Sequence, residues 1–295
     1  MSSTVSAAQR QRSPREILPW GLVSPNLFWL LVFLACPLIV LLILSFRTYV
    51  PGVGISDDWS VGNYANVLTD YYNLAVLVQT LFIGLEVTAA TLVLGLPVAL
   101  VLSRAGGKAR ALLYFLVLVP VLTSAVVRTF GWMILLSNNG AVNRLLSAIG
   151  LTDAPLRIMY SQMGVVIALT EVLMPFMILS LDASLLNVQP ALAEAARSLG
   201  ARPARVFLSI TLPLIIPGMI SGSVLVFSLA ISSFVTPALI GGERVTVMAM
   251  MIYQTTIAKL NWPLGAATAF VMLAAIVIVV VLFLLVSERR RSVAR

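Results

Sequence analysis

The sequence has no histidine and a single cysteine among 295 residues, and charged residues make up only 10% of it. The lack of histidine removes the side chain most often used as a general base or metal ligand, so we expect no catalytic residues and no metal site. One cysteine, Cys36, excludes a disulfide within the chain. Soluble globular proteins contain about 25% charged residues. The low charged fraction, together with 60% hydrophobic residues, therefore predicts an integral membrane protein.

A complete nucleotide-binding motif is also missing. The segment AGGKAR resembles the end of a P-loop, but Ala109 follows Lys108 where a serine or threonine is required. The glycine that should stand five residues before Gly107 is absent as well. We therefore expect no cofactor bound by this chain, and an ATPase that powers it would be a separate chain. The net charge of +8 does not indicate nucleic-acid binding, because arginines concentrate in the cytoplasmic loops of membrane proteins.

Six apolar segments are long enough to span a membrane, which requires about 20 residues each. They cover residues 26–46, 76–102, 111–136, 162–186, 214–240 and 263–286. The sequence therefore predicts an all-α membrane protein. It has a cytoplasmic N-terminal segment over residues 1–25, one six-helix domain over 26–286, and a basic cytoplasmic tail over 287–295. No clear cleavage site follows the first apolar segment, so we expect an uncleaved helix rather than a removed signal peptide.

Arginine and lysine are distributed unevenly between the two ends of these segments. Of the 19 basic residues, 13 lie in four places. These are the two chain ends, the loop between the second and third apolar segments, and the loop between the fourth and fifth. Basic residues are enriched in cytoplasmic loops. This distribution therefore predicts that both termini lie in the cytoplasm.

Ionisable side chains within the predicted spans are candidates for a translocation path. Such groups are costly in lipid and usually face a bundle interior or an aqueous cavity. Glu86 lies in the middle of the second span, Arg128 lies in the third near Trp132, and Glu171 lies in the fourth, four residues before Pro175. The proline frees a backbone carbonyl beside Glu171, which favours a role in the path. The alternative is that these groups form ion pairs or hydrogen bonds that only hold helices together.

The fifth span combines glycines, hydroxyl side chains and prolines. Phe234 and Thr236, next to Pro237, suit the wall or gate of a polar path, and the alternative is a helix end with a glycine stop. Gly218 and Gly222 are four residues apart, a spacing that allows close approach of helices. That contact is either between two subunits or within one.

A charged loop, residues 190–213, separates the fourth and fifth spans. Its periodicity predicts two short helices, one ending near Leu199 and one beginning near Pro203. Gly200 between them tolerates a positive φ and therefore permits a sharp turn. Ala195 and Ala196 give the first helix a face of small residues that another protein can approach closely. The alternative is an interfacial helix without a partner.

The 190–213 loop also carries a motif with fixed spacing. Glu-Ala-Ala is followed after three residues by a glycine, and after nine more by Ile-x-Leu-Pro. The residues are Glu194, Ala195, Ala196, Gly200, Ile210, Leu212 and Pro213. This pattern resembles, without departure, the cytoplasmic EAA loop of permease subunits of binding-protein-dependent ABC importers. Shorter motifs, RTFGW, MPFMILSL, FVTPALIGG and NWPLGAA, resemble the spermidine/putrescine permease subgroup.

This resemblance implies a type I importer permease fold, called MetI-like, in which the 190–213 loop is the coupling helix. It implies three protein partners: an ABC ATPase dimer that uses ATP and Mg²⁺, a second, homologous permease subunit that completes a heterodimer, and an extracytoplasmic solute-binding protein. The expected location is the inner membrane of a bacterium, with several passes in contact with lipid. The chain itself is then a transport subunit and not an enzyme.

The resemblance further implies a polyamine, spermidine or putrescine, or a related amine as the solute. Glu86 and Glu171 offset positive charge, and Trp132 and Phe234 offer cation–π contacts. Arg128, where it faces the path, opposes a polycation. The subgroup also includes carriers of opines, aminobutyrate, aminophosphonates and ferric iron, and these alternatives stay open. A stand-alone secondary carrier or channel and an intramembrane enzyme are the remaining hypotheses.

Overall fold

The computed structural model describes residues 20–152 and 154–293. Residues 1–19 of the predicted N-terminal segment, with its three arginines, and residues 294–295 of the predicted tail lie outside the described residues. The elements in chain order are α1 (Trp20–Ser45), β1 (Arg47–Val50), β2 (Gly54–Trp59), α2 (Gly62–Thr69), α3 (Tyr71–Arg104), α4 (Gly107–Leu122), α5 (Ala125–Leu136), α6 (Ala141–Ala148), α7 (Gln162–Leu186), α8 (Pro190–Ser198), α9 (Pro203–Val206), a π-helical turn (Phe207–Thr211), α10 (Leu212–Ile231), a second π-helical turn (Pro237–Gly241), a 3₁₀ turn (Gly242–Arg244), α11 (Met248–Tyr253), a third π-helical turn (Gln254–Ala258) and α12 (Trp262–Val293).

Helices α3 and α7 run parallel through the centre of the bundle. Glu86 of α3 contacts Gln162 at the start of α7, and Gly95, further along α3, packs against Met177 of α7. With α10, these helices supply most of the fully buried apolar side chains, which include Ile83, Val87, Leu169, Met177, Leu181, Ile215 and Phe227. The core of the protein therefore lies among α3, α7 and α10.

Helix α10 packs against α7 in the antiparallel direction through two glycines. A Cβ atom at Gly218 would lie 2.8 Å from the carbonyl oxygen of Ser180, and one at Gly222 would lie 2.7 Å from the sulfur of Met177. The Ser180 hydroxyl also donates a hydrogen bond of 3.0 Å to the carbonyl oxygen of Gly218. The two glycines of GMISG therefore serve packing within one chain.

The third predicted span, residues 111–136, is two helices and not one. The chain bends by 94° between residues 107–122 and 125–148. Thr123, which ends α4, has extended backbone angles, and Pro120 three residues earlier has no N–H with which to continue the helical ladder. The Thr123 hydroxyl donates to the carbonyl oxygen of Pro120 at 2.8 Å, which satisfies a carbonyl at the break. Hydropathy correctly identified this apolar segment but not its interruption.

The broken segment nevertheless crosses the bundle from end to end. At its start, Arg110 of α4 contacts Asp182, one turn before α7 ends. After it, Asn143 of α6 donates to the carbonyl oxygens of Ser137 and Leu156, in the loop that leads into α7. We call the end of the bundle that holds α8 the α8 side, and the opposite end, with β1, β2 and α6, the hairpin side. Five helices and this bent pair give six apolar segments able to span a membrane in the described residues.

The fifth predicted span, residues 214–240, ends as a regular helix at Ile231, nine residues early. The hydroxyls of Ser232 and Ser233 bond back to carbonyl oxygens one turn earlier, and the chain resumes at Pro237 as a π-helical turn. Serines that bond to their own backbone compete with helix continuation. The regular helix therefore stops before Pro237, whereas Pro217 lies inside the continuous helix α10.

The segment after this break contributes to the core of the bundle. Met248 and Met251 of α11 are buried against α3 and α12. The backbone N–H of Met248 donates to the hydroxyl of Thr80 in α3 at 2.9 Å. The helical spacing in the sequence thus reflects a buried helical face rather than a surface helix.

A β-hairpin that the sequence analysis did not predict follows α1. Strands β1 and β2 pair antiparallel, with Arg47 opposite Trp59 and Tyr49 opposite Ile55. The Arg47 guanidinium lies 4.5 Å from the centre of the Trp59 ring, a distance that suits a cation–π contact. Both strands are short, and β2 contains one glycine and two aspartates, residue types that are depleted in strands.

Helices α1 and α12 lie against each other at the edge of the bundle, and their apolar side chains are largely exposed. Phe33 of α1 is 72% exposed and Ile278 of α12 is 60% exposed. Apolar side chains exposed along a whole helix are expected where lipid or another membrane subunit replaces water. These two helices therefore lie at the periphery of the bundle.

We expect Gly218→Ala to lower the melting temperature of the purified protein in detergent by about 3–10 °C. The added Cβ overlaps the α7 backbone, and overpacking of this kind costs about 1–3 kcal/mol. Gly131→Ala in α5 is the matched control, because no atom lies within 4 Å of its added Cβ. Equal melting temperatures for both variants would contradict the close α7–α10 packing.

Candidate functional site

Three of the predicted path residues form one polar cluster between α5 and α7. The Nε atom of Arg128 lies 3.7 Å from Oε2 of Glu171, and the indole N–H of Trp132 donates to the same oxygen at 3.2 Å. The Arg128 side chain is 13% exposed and that of Glu171 is 30% exposed. We call these three residues the Glu171 cluster. It is a partly buried and electrically neutral ion pair beside an indole ring.

The break between α4 and α5 positions Arg128. Its Nη1 atom donates to the carbonyl oxygen of Pro120, at the end of α4, and contacts the Thr123 hydroxyl at 3.3 Å. The C-terminal end of a helix carries partial negative charge, which favours a nearby cation. Arg128 is thus shared between the α4 terminus and Glu171, and its Nε atom is buried without a hydrogen bond among the described residues.

Three further predicted path residues lie around the cluster without joining it. Thr236 is buried, and its hydroxyl lies 3.3 Å from that of Thr129, the residue after Arg128. Phe234 packs against the ring of Tyr253 at 5.0 Å between centroids. Pro175 is buried one turn after Glu171 on α7. The residues after α10 therefore reach α5 next to the ion pair. The spacing of residues in the sequence could not reveal this contact.

Glu86 does not join the Glu171 cluster. It is exposed and accepts a hydrogen bond of 2.7 Å from Nε2 of Gln162, the first residue of α7. Glu171 lies nine residues further along α7, about 13 Å at 1.5 Å per residue. Glu86 is therefore level with the hairpin-side end of α7, because α3 begins well before α7 does.

Asp182, near the α8-side end of α7, links α7 to α4. It is buried, lies 3.3 Å from Nη2 of Arg110, and accepts a hydrogen bond from the Tyr114 hydroxyl. Both partners belong to α4, four residues apart. Sequence reasoning named neither partner, although an arginine and a tyrosine on one helical face were a possible signal.

The 190–213 loop forms the two predicted helices, α8 and α9, joined at Gly200. Gly200 has φ of +82°, and the N–H groups of Gly200 and Ala201 donate to Arg197 and Ala196 at 2.9 Å and 3.0 Å. These two bonds are those of a Schellman motif, in which glycine supplies the left-handed residue. The turn predicted from the sequence is therefore present.

The two halves of the Glu-Ala-Ala motif occupy different surroundings. Glu194, Ala195 and Ala196 lie on α8, none of whose residues is buried, and the adjoining Leu199 is 89% exposed. Gly200 follows at the turn. The later motif residues lie in the π-helical turn and at the start of α10: Ile210, Leu212 and Pro213. The first half is a surface free to contact another protein, whereas the second half connects that surface to the core helix α10.

Comparison with known proteins gives one matching family, described as "Binding-protein-dependent transport system inner membrane component", over residues 91–292. The spermidine/putrescine transport system permease protein PotB of Escherichia coli (strain K12) is 36% identical over 83% of this chain and 88% of its own length. The inner membrane ABC transporter permease protein YdcU of the same organism is 32% identical over 68% of this chain and 67% of its own length.

The fold is also that of a solved ABC transporter. A chain in the crystal structure of a bacterial ABC transporter involved in the import of the acidic polysaccharide alginate superimposes with a TM-score of 0.73. The match covers 93% of this chain and 96% of the other, at 20% sequence identity. At that identity the likeness establishes the fold alone. The predicted fold, a six-span importer permease, is confirmed, with the third span broken.

We expect a double-mutant cycle of Arg128→Gln and Glu171→Gln to give a coupling free energy of about 1–2 kcal/mol. Each single change leaves a partly buried charge without its partner, whereas the double change removes both charges. Melting temperatures or denaturant unfolding of the four proteins in detergent measure the coupling.

The control for this cycle is the Arg47–Asp57 pair, which has the same 3.7 Å separation but a fully exposed carboxylate. Exposed pairs contribute about 0–1 kcal/mol. We expect Arg47→Gln with Asp57→Asn to give a smaller coupling than the Glu171 cluster. Equal couplings would mean that burial adds nothing to the Arg128–Glu171 contact.

Proposed function

The chain belongs to the family of inner membrane components of binding-protein-dependent transport systems, and on this premise we propose that it is the transmembrane subunit of an ATP-driven importer of a polyamine or related amine. The observation that carries the proposal is the 36% identity over 83% of the chain to a spermidine/putrescine permease. The chain is thus a multi-pass protein of the inner membrane and a transport subunit. In this proposal the hydrolysis of ATP, with Mg²⁺, takes place on a separate subunit.

The Glu171 cluster is the proposed polar point of the translocation path. Its carboxylate is partly exposed, and the indole of Trp132 and the ring of Phe234 lie on the elements that surround it. A carboxylate beside an indole ring suits an amine, which combines charge with methylene groups. Arg128 would oppose a polycation if it stood alone, but it lies against Glu171 and the α4 terminus. The local charge that an amine meets is therefore close to zero rather than positive.

The proposal assigns different roles to Glu86, Pro175 and Thr236. Pro175 and Thr236 are buried next to the cluster, so they shape the helices around it rather than contact solute. Glu86 is exposed towards the hairpin side, where it is suited to an encounter with solute before the Glu171 cluster.

The 190–213 loop is the proposed contact with the ATPase. α8 has no buried residue and presents Ala195, Ala196 and the exposed Leu199, a small apolar surface that suits insertion into a groove. Arg197, Arg202 and Arg205 around it favour the cytoplasmic side of the membrane. The α8 side is then cytoplasmic, and both chain termini lie on that side. The hairpin side faces outward.

The proposed assembly contains an ATPase dimer, a second homologous permease and a solute-binding protein. Helices that expose apolar side chains along their length, such as α1, α12 and the broken α4–α5, provide contacts for lipid and for the second permease. Opines, aminobutyrate, aminophosphonates and ferric iron are the alternative solutes. A stand-alone carrier or channel would instead move solute without an ATPase, and solute flux through the reconstituted chain alone would support it.

We expect deletion of the gene for this chain to abolish the uptake of radiolabelled spermidine or putrescine, and its return to restore uptake. Unlabelled polyamine should compete, whereas aminobutyrate, 2-aminoethylphosphonate, an opine or ferric iron should not. In the restored strain, Glu171→Gln should change the KM for polyamine at least several-fold, since it removes the carboxylate of the path. Asp57→Asn, an exposed carboxylate of the hairpin, is the control and should leave KM unchanged. Competition by one of the other solutes would reassign the substrate.

We expect Gly200→Val to lower substrate-stimulated ATPase activity of the reconstituted complex, whereas Gly200→Asn retains most of it. No atom lies within 4 Å of a Cβ at Gly200, so only the φ of +82° opposes substitution, and asparagine adopts such angles far more readily than valine. Leu199→Asp should weaken co-purification of the ATPase while the melting temperature of the chain is unchanged. Normal ATPase association in Leu199→Asp and normal activity in Gly200→Val would together contradict the coupling role.

A further inference from the structure

A polar cleft of about 440 Å³ opens on the hairpin side of the bundle. Three separate segments meet there: the residues after α5, the loop before α7, and the 3₁₀ turn after α10. The lining residues are Ser137, Asn138, Arg157, Met159, Tyr160 and Arg244. Among the described residues, the lining contains two guanidinium groups and no acidic side chain. This cleft is separate from the Glu171 cluster and from the 190–213 loop.

The walls of the cleft are fixed by hydrogen bonds rather than formed by free loops. Asn143 is buried, and its side chain donates to the carbonyl oxygens of Ser137 and Leu156 at 3.1 Å and 3.0 Å and accepts from the Leu156 N–H at 2.9 Å. The N–H of Tyr160 donates to the carbonyl oxygen of Ile240 at 2.9 Å, which ties the loop before α7 to the turn after α10. Both arginine-bearing segments are therefore held in place.

The cleft also contains a strained residue. Tyr160 has φ of +57°, a conformation that is uncommon for a residue other than glycine and an outlier for a bulky one. Its ring lies over Gly242, where a Cβ atom would be 2.9 Å from Cδ1 of Tyr160. Strained residues of this kind persist where the surrounding structure fixes them, and they concentrate at binding sites.

The positive charge of the cleft favours the binding of an anionic partner. Arginines are rare in the outward segments of inner-membrane proteins, and two of the few in this chain, Arg157 and Arg244, line one cleft. The planar guanidinium group binds a carboxylate through two parallel hydrogen bonds. Two such groups in a cleft of this size match one or two acidic side chains.

We propose that the cleft is a docking point on the permease for acidic side chains of the solute-binding protein. The proposal rests on the proposed function, which makes the hairpin side the outward side. The binding protein is favoured over an anionic lipid headgroup because the cleft is built by loops over the ends of α5, α7 and α10. The lipid-exposed helices α1 and α12 contribute no residue to its lining.

The test uses the complete transporter in nanodiscs and the solute-binding protein encoded beside this chain, loaded with spermidine. We expect the double variant Arg157→Glu/Arg244→Glu to raise the Kd for the binding protein at least tenfold. It should also flatten the dependence of Kd on salt, since ionic contacts are screened by salt. Arg157→Gln/Arg244→Gln, a milder change, should raise Kd by a smaller factor. Melting temperatures of all variants establish that they are folded.

Arg144→Glu is the matched control, because Arg144 is exposed on α6, on the same side of the bundle, but does not line the cleft. It should change Kd by less than twofold. An equal loss in Arg144→Glu, or no loss in the double variant, would overturn the docking site while leaving the proposed function intact. A loss seen in phosphatidylglycerol nanodiscs but not in phosphatidylcholine nanodiscs would assign the cleft to lipid instead. If the wild-type transporter fails to bind the loaded protein, the proposed function and the docking site are both wrong.

Discussion

The broken α4–α5 segment is held against α7 by two ion pairs, and the arrangement of the site depends on them. Arg110 pairs with Asp182 at 3.3 Å and Arg128 with Glu171 at 3.7 Å. The two carboxylates are eleven residues apart, about three helical turns, and therefore lie on the same side of α7. These pairs add polar contacts to the apolar packing that sets the direction of this segment, which is bent by 94°. The two pairs attach the discontinuous span to α7.

These pairs also connect the two ends of the molecule mechanically. Asp182 lies one turn before the end of α7, and only residues 187–189 separate α7 from α8. A force applied to α8 therefore enters α7 beside Asp182 and reaches α4 through Arg110 and Tyr114. The same force reaches α10 through α9 and the π-helical turn that follows it. Both routes converge on the core, where Gly218 and Gly222 leave little room for independent movement of α7 and α10.

The sequence predicted the apolar spans and the 190–213 loop because both depend on local patterns, hydropathy over about 20 residues and helical spacing with a glycine stop. It did not predict the break near Thr123, since hydropathy is insensitive to direction and Pro120 alone is tolerated in membrane helices. It could not place Glu86 relative to the other helices, because α3 has 34 residues, about 51 Å of helix, and is longer than a bilayer core of about 30 Å. The Arg128–Glu171 contact joins residues 43 positions apart, and only the packed structure brings them together.

The distribution of charge along the chain bears on how a cation is carried. The hairpin-side cleft is positive, with Arg157 and Arg244, and the Glu171 cluster is neutral because Arg128 offsets its carboxylate. A free polycation approaching the hairpin side would therefore be repelled by the cleft and would gain little net charge attraction at the cluster. An acidic partner bound in the cleft neutralises its positive charge and so removes this repulsion. Delivery by a docked protein, rather than attraction from solution, is thus the arrangement that this charge pattern favours. Selectivity for the amine then depends on that protein more than on the net charge of this chain.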